Sequence, residues 1–505
     1  MRADVDQRSG VKTRLTGRKL AYLPVFAAVC QVAVCTHPCT RLVALPNTTY
    51  KLGWSFSVSI LHSPLPADDE ALHDVLAAFL LSRARADRAQ LLGLEFECLR
   101  VCESDLTAAP SRGSDGPDAL VHSLGAAFAP GVTAEAVLDG GELAVLHFDA
   151  LNFSLEPGGQ IEVSLPPLTT PTEVARELAR FRTSLEELLA PTPYRPLYVG
   201  HQPVTMPSDI ELRAKPRYQV MDARFQQSGK LGRHMMRATA GMQVTLDYRN
   251  ETECVGMLRG ALAMAPLVTA MFANSPHVGG RESGFLSYRE HVWWDTDPSR
   301  CGVPVRLLAD DATLRDYTDF ALDAELWFMR RDGELEEVPG RVSFREALVA
   351  GEVLTLDDFN LHASTLFPSA RLRGGIEVRS ADCVACDYAP AFAAIQAAVL
   401  YDPELCERAT ALQPYRDAAS VRRLHEAVAK SGLEAELADG YSVAAACAEL
   451  LELVHIGIER HVATGQWSAN TAALLQGVER AVSERRSPAL DVLEDRPCRE
   501  LDLSE

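Results

Sequence analysis

Apolar positions across residues 69–86 recur at helical spacing and predict an amphipathic helix. A strand over 91–101 follows, then a Gly/Ser/Asp/Pro loop over 111–118. Strand-like runs at 144–151 and 160–165 flank the turn Glu156-Pro157-Gly158-Gly159. The pattern predicts helices over 172–189, with Thr172 as N-cap, and over 252–273. Residues 241–248 and 371–379 alternate as strands do. Residues 389–482 are rich in alanine and leucine and read as helical, and 483–505 form a charged, acidic tail. Strands and helices mix without a Gly-rich βαβ rhythm and without an internal repeat. The expected class is therefore α+β with a largely antiparallel sheet.

In a strand, alternate residues share a face. Glu95 and Glu97 point the same way, as do Gln160 and Glu162, with Glu156 brought near across the Pro-Gly-Gly turn. Gln243, Thr245 and Asp247 share one face while Val244 and Leu246 take the other. Arg371, Arg373, Glu377 and Arg379 fall on one parity. Any one such strand reads most simply as the solvated face of an antiparallel sheet. Together they read as more, because carboxylates recur where Lys, Thr or Ser would serve solubility equally well. Neighbouring glycines admit a ligand. Oxygen ligands suit Mg²⁺, and arginines on the same face suit phosphate or carboxylate. Solvated faces and a metal–nucleotide site both stand at this level.

Composition narrows the partners. The chain has 505 residues and 47% hydrophobic content, enough for one large core domain with an accessory part. The net charge of −20 argues against a nucleic-acid surface. Twelve cysteines in such a length are not a disulfide scaffold, which suggests a reduced, cytoplasmic protein. Residues 1–66 read as an extension: Arg14, Arg18 and Lys19 precede an apolar run over 20–34. That run is too short for a membrane span and contains Pro24, which leaves a signal peptide, a transit peptide or an over-long start. Plastid targeting applies if the chain is eukaryotic. Cys35, His37 and Cys39 lack the second paired cluster of a zinc site. Cys383-x-x-Cys386 is one lone pair, and the spacing of His455 and His461 does not suit shared ligation. Gly279, Gly280 and Gly284 form a flexible loop, but no Walker-type motif occurs, so ATP would need a different cradle.

Ordered blocks resemble the glutamate–cysteine ligase family of plants and many bacteria. They begin with Gly93-Leu94-Glu95-Phe96-Glu97 and Ser154-Leu155-Glu156-Pro157-Gly158-Gly159-Gln160-Ile161-Glu162. Pro216-Arg217-Tyr218 with Met221, Met235-Met236 with Thr239, and Gln243-Val244-Thr245-Leu246-Asp247 come next. Phe272-Ala273-Asn274-Ser275-Pro276, Ser287-Tyr288-Arg289 and Trp293-Trp294-Asp295-Thr296-Asp297 with Arg300 and Gly302 continue the series. It closes with His362, Thr365-Leu366-Phe367-Pro368, Arg371-Leu372-Arg373 and Ile376-Glu377-Val378-Arg379 with Asp382. The resemblance runs over about residues 90–385.

The resemblance implies a glutamine-synthetase-like fold: a curved, mainly antiparallel sheet forming a funnel, helices outside, and a C-terminal helical region. Residues 67–388 become the catalytic ATP-dependent ligase domain, and 389–482 pack on it. It implies phosphorylation of the L-glutamate γ-carboxylate by ATP and attack by the amine of L-cysteine, with Mg²⁺. Glu95, Glu97, Glu156, Glu162 and Glu377 are the implied metal ligands. Gln160, Gln243 and Thr245 join Arg371, Arg373 and Arg379 in holding the nucleotide. Arg217, Tyr218, Thr239, Met242, Arg289 and Trp293 are implied for substrate, Arg289 gripping a carboxylate, and Arg289, Arg371, Arg373 and Arg379 for catalysis. The product serves glutathione or ergothioneine synthesis alike. A ligase with another amine acceptor, or an inactive binding paralogue, are the competing readings. The expected enzyme is a monomer or homodimer, with no nucleic-acid or membrane partner. Two departures stand out: Thr245 replaces the Asn common in relatives, and Cys102, beside Glu103, falls where relatives carry a further glutamate.

Overall fold

A computed structural model of the chain describes residues 42–45, 48–51, 61–84, 90–132, 134–139, 141–148, 151–331 and 334–494. The apolar run over 20–34, the Cys35/His37/Cys39 group and the end of the acidic tail lie outside them.

Helix α1 (Asp69–Leu81) starts at Asp68, whose carboxylate accepts from the Ala71 amide at 2.9 Å. It stops short of residue 86. The Ser82 hydroxyl bonds back to the Phe79 carbonyl at 2.6 Å and closes the last turn locally. Strand β1 (Leu92–Cys102) is followed by α2 (Asp118–Phe128), which the sequence pattern did not predict. Then come β2 (Glu135–Asp139), β3 (Glu142–Phe148), β4 (Leu151–Leu155) and β5 (Ile161–Ser164). The expected strand over 144–151 is thus the end of one strand and the start of the next. Helix α3 (Pro171–Leu189) is capped by Thr170, not Thr172. Thr170 and Glu173 form a capping box with Pro171 inside the first turn, which places Thr172 within the helix.

Strand β6 (Tyr194–Leu197), helices α4 (Pro216–Ser228) and α5 (Gly232–Ala238), and strand β7 (Gly241–Leu246) follow. Asn250 caps α6 (Glu251–Phe272), and Ser287 caps the short α7 (Tyr288–Trp294). After α8 (Leu314–Asp323) and α9 (Leu356–Ala363), the expected strand over 371–379 is a hairpin of β8 (Ala370–Leu372) and β9 (Ile376–Asp382). Its register sets Arg371 opposite Glu377. The C-terminal region holds α10 (Pro390–Leu400), α11 (Ala418–Ser431) and α12 (Val443–Ala463).

Eight strands run in the order β8-β9-β7-β1-β5-β4-β3-β2, with β6 also paired to β1, and every pairing is antiparallel. Helices α6 and α10 cover the apolar face, with α3 and α12 against α10. Phe96, Met242, Val244, Val163 and Val378 meet Leu258, Leu262, Phe392 and Leu450 in one core that joins the sheet to the C-terminal helices. Helix α6 is long and apolar enough to cross a bilayer, yet every residue from Met257 to Phe272 is buried except Arg259. Burial on all sides accounts for its hydrophobicity. The expected α+β class and antiparallel sheet are what the chain adopts.

The boundary expected at residue 66 cuts a docked segment. Leu65 is buried and its amide bonds the Leu354 carbonyl at 2.7 Å, beside a bridge between Pro64 and Thr355. A chain begun at residue 61 is expected to keep the melting temperature of the full protein. One begun at residue 67 loses a buried leucine, worth about 2 kcal/mol, and should melt lower by differential scanning calorimetry. Equal melting of the two truncations would show that this contact contributes nothing.

Candidate functional site

The polar face of the sheet lines a cavity of about 600 Å³. Its floor comes from β1, β4, β5 and the turn between them, which contribute Glu95, Glu97, Ser154, Glu156 and Glu162. The register sets Glu97 directly opposite Glu162, and Glu162 opposite Ser154. Like charges facing each other across a ladder destabilise a sheet unless something intervenes. Glu97 accepts from the Gly241 amide at 2.7 Å and the Gln243 side chain at 2.8 Å. Glu162 accepts from Ser154.

Titration behaviour reflects this crowding. Sequestration from water, then the charge of Glu377, raise the Glu95 carboxyl to about 7. Sequestration and Glu97 raise Glu156, while Glu162 is pushed well above the usual range by sequestration and by Glu95, Glu156 and Glu97. Three carboxyls on one floor therefore resist ionising together. Among the described residues, no group of three His, Cys, Asp or Glu closes into a finished metal cage. Mg²⁺ does not need one, because it keeps several waters and binds through one or two carboxylates plus substrate phosphates. Hard oxygen donors crowded on one floor fit such an ion.

Arginines from the β8–β9 hairpin form one wall. Arg371 donates to Glu377 through Nε at 2.9 Å and Nη2 at 2.8 Å, and to the Leu366 carbonyl at 2.6 Å. Arg379 donates to the same Glu377 oxygen. Burial opposes charge on Glu377, but Arg371, Arg379 and Arg373 outweigh it and hold the carboxyl down at about 2. Glu377, expected among the metal ligands, is also the anion on which two guanidiniums converge, both through the same oxygen. Arg373 lines the cavity from the turn and makes no side-chain hydrogen bond or ion pair among the described residues.

Arg289, Trp293, Thr239, Arg217 and Tyr218 line another side. Arg289 is buried, and its Nη2 donates to the Arg379 carbonyl at 3.2 Å. Its Nη1 lies 3.9 Å from Asp382, and its Nε has no hydrogen-bond partner among the described residues. Strand β7 crosses so close that a Cβ on Gly241 would sit 2.3 Å from Nη2, which explains a glycine there. At the floor turn, a Cβ on Gly158 would lie 2.1 Å from the Arg237 carbonyl oxygen, so the turn docks only without a side chain.

Two expected residues do not reach the cavity. Met242 lies on the opposite face of β7 and is fully buried in the core, as its parity against Gln243 requires. Thr245 has the right parity but sits beneath the hairpin turn, where a Cβ on Gly375 would come 2.7 Å from its methyl. Gln160 lines the cavity, yet its amide is committed. It accepts from Gly158 at 2.9 Å and donates to the Thr239 carbonyl at 2.8 Å, clamping the floor turn to the start of β7.

The sequence pattern missed Lys215, one position before the Pro216-Arg217-Tyr218 block. Its ammonium lines the cavity, donates to the Leu155 carbonyl at 2.8 Å and lies 3.1 Å from the Tyr218 hydroxyl. Burial lowers it to about 8, with Glu156 opposing. Phe79, Leu80 and Arg83 at the end of α1 also line the cavity, and nothing in their spacing signals it.

The family model for glutamate-cysteine ligase family 2 matches residues 91–500, which takes in the C-terminal helices. The chloroplastic glutamate–cysteine ligase of Medicago truncatula is 33% identical over 330 residues, 64% of this chain and 65% of that protein. Those of Brassica juncea and Arabidopsis thaliana are each 31% identical over 366 residues, 71% of this chain and 70% and 69% of theirs. The chain thus spans about two thirds of the length of these relatives. A solved glutamate–cysteine ligase of Francisella tularensis in complex with AMP is 12% identical, with a TM-score of 0.45 over 80% of this chain and 84% of that one. The chain belongs to the glutamate-cysteine ligase family 2 and is a ligase enzyme.

Proposed function

We propose the following course for the ATP-dependent ligation. The γ-carboxylate of L-glutamate attacks the γ-phosphorus of ATP, giving γ-glutamyl phosphate and ADP. The amine of L-cysteine then attacks the acyl carbon and expels phosphate, leaving γ-glutamylcysteine and one released proton. Arg371, Arg373 and Arg379 lie along the transferring phosphoryl group and spread its charge, with Arg371 and Arg379 already fixed by Glu377. Arg289 grips a carboxylate of glutamate beside Trp293 and Thr239. Glu95, Glu97, Glu156 and Glu162 would hold Mg²⁺, which when bound neutralises the phosphate oxygens.

One observation carries this reading: crowded carboxylates that resist ionising together face a bank of buried and half-buried arginines across one cavity. Neither set is suited to a solvated sheet face. Each is suited to one half of a metal–phosphate complex.

ADP release is expected to require glutamate, and cysteine should stimulate it far more than serine, alanine or glycine at equal concentration. A coupled assay for ADP with this panel of amines decides the acceptor. Equal stimulation by serine would replace the thiol-specific reading with a broader γ-glutamyl ligase.

A further inference from the structure

Helix α7 has only seven residues, too short to hold its own orientation in water. It carries Arg289 and Trp293 into the cavity, with the guanidinium 5.9 Å from the Trp293 ring centre. Its N-terminus is fixed from the sheet side. The Arg289 amide bonds the Ser275 hydroxyl at 3.0 Å, and the hydroxyls of Ser275 and Ser287 donate to Asp382 at 2.7 and 2.9 Å.

The next residues along, Glu290 and Trp294, turn away from the cavity. Glu290 is buried, and one of its oxygens accepts from the Trp294 indole at 2.7 Å and contacts His425 Nδ1 at 2.6 Å. His425 belongs to α11 in the C-terminal region and is itself buried. The same helix accepts the Leu286 and Ser287 amides on the Ala429 carbonyl at 2.9 and 3.0 Å. Arg422, one turn earlier, lies over the Trp294 ring at 5.9 Å. Helix α11 therefore splints α7 from outside, and the side chain of His425 joins it to Glu290.

We propose that His425 is a positioning residue for the glutamate end of the cavity: through Glu290 it sets the rotation of α7 and so aims Arg289 and Trp293. This rests on the reading that Arg289 grips a glutamate carboxylate. The C-terminal helices are then part of substrate recognition. A small rotation of a short helix displaces a guanidinium enough to weaken binding severely.

The test measures KM for glutamate, KM for ATP, kcat and melting temperature in His425→Leu, His425→Asn and His425→Gln. Asn places an amide donor near the position of Nδ1, whereas Gln places one near Nε2. His425→Leu is expected to raise KM for glutamate on the order of ten-fold, with KM for ATP unchanged. His425→Asn should recover most of the loss and His425→Gln should not. An unchanged KM for glutamate, or a parallel rise in both KM values, would overturn the proposal. If the leucine variant does not fold, equal KM values for the Asn and Gln variants overturn it instead. Arg289→Ala, run alongside, separates the two readings. If it leaves KM for glutamate unchanged, the role of Arg289 fails and the proposal with it. If it raises KM while the His425 variants are silent, only the positioning role fails.

Discussion

Glu162→Gln is expected to lower turnover about 100-fold or more, as loss of a fixed electrostatic group typically does, while raising the melting temperature of the metal-free protein. Both effects follow from the same crowding. Glu162 faces Glu97 across β1 and β5, with Glu95 and Glu156 on the same floor. An acid whose folded pKa is raised costs stability at every pH above its unfolded value. Glutamine keeps the shape and still accepts from Ser154, but removes the charge. The fold is then relieved of repulsion while a hard cation loses part of its attraction. The melting gain on adding Mg²⁺ should accordingly be smaller in the variant, and raised Mg²⁺ should recover part of the turnover. Calorimetry with and without Mg²⁺, together with ADP release, reads both arms. Normal turnover with an unchanged Mg²⁺ response would remove Glu162 from the site. Lost turnover with a lower melting temperature would assign it a structural role.

Much of the floor was legible in the sequence because strand parity is a local property. Glu95 and Glu97 share a face by alternation alone, and the Pro-Gly-Gly turn had to return the chain so that Glu156 and Glu162 met them. The same rule counted against Met242, whose parity opposes Gln243 and puts it in the core. Thr245 shows where parity runs out. It faces the right way, but a hairpin over a hundred residues later lies over it, which alternation cannot reveal. The arginines were grouped by a parity that held across what is in fact a hairpin. Arg371 and Arg379 converge because both bond Glu377, not because they lie on one strand. Lys215 and the end of α1 reach the cavity only through tertiary packing, so their own neighbours in sequence carried no sign of it. At α3, Pro171 in the first turn and Glu173 completing the capping box set the cap at Thr170, two residues before the Thr172 that the spacing predicts.

Glu377→Gln is expected to abolish activity to a similar degree with the opposite effect on stability. Glu377 is buried, and Arg371 and Arg379 converge on one of its oxygens. Burial, with Arg379 and Arg373 nearby, lowers Arg371 to about 10 even with Glu377 raising it, and burial opposes the charge of Arg379 while Glu377 sustains it. Removing one partner of a buried ion pair leaves uncompensated charge and costs about 3–5 kcal/mol. The two guanidiniums would also repel each other and leave the positions proposed for them beside the phosphoryl group. The sign with pH is fixed by the depressed carboxyl, near 2 in the fold against a usual 4.5. Its contribution is fully present above the unfolded value and is lost as pH falls through the folded one. The gap in unfolding free energy between wild type and variant should therefore be widest above pH 4.5 and narrow steadily below it. Urea unfolding across that range measures the gap directly. A variant as stable as wild type at neutral pH would mean that Glu377 does not organise the arginines. A gap that widened on acidification would mean that some other group carries the effect.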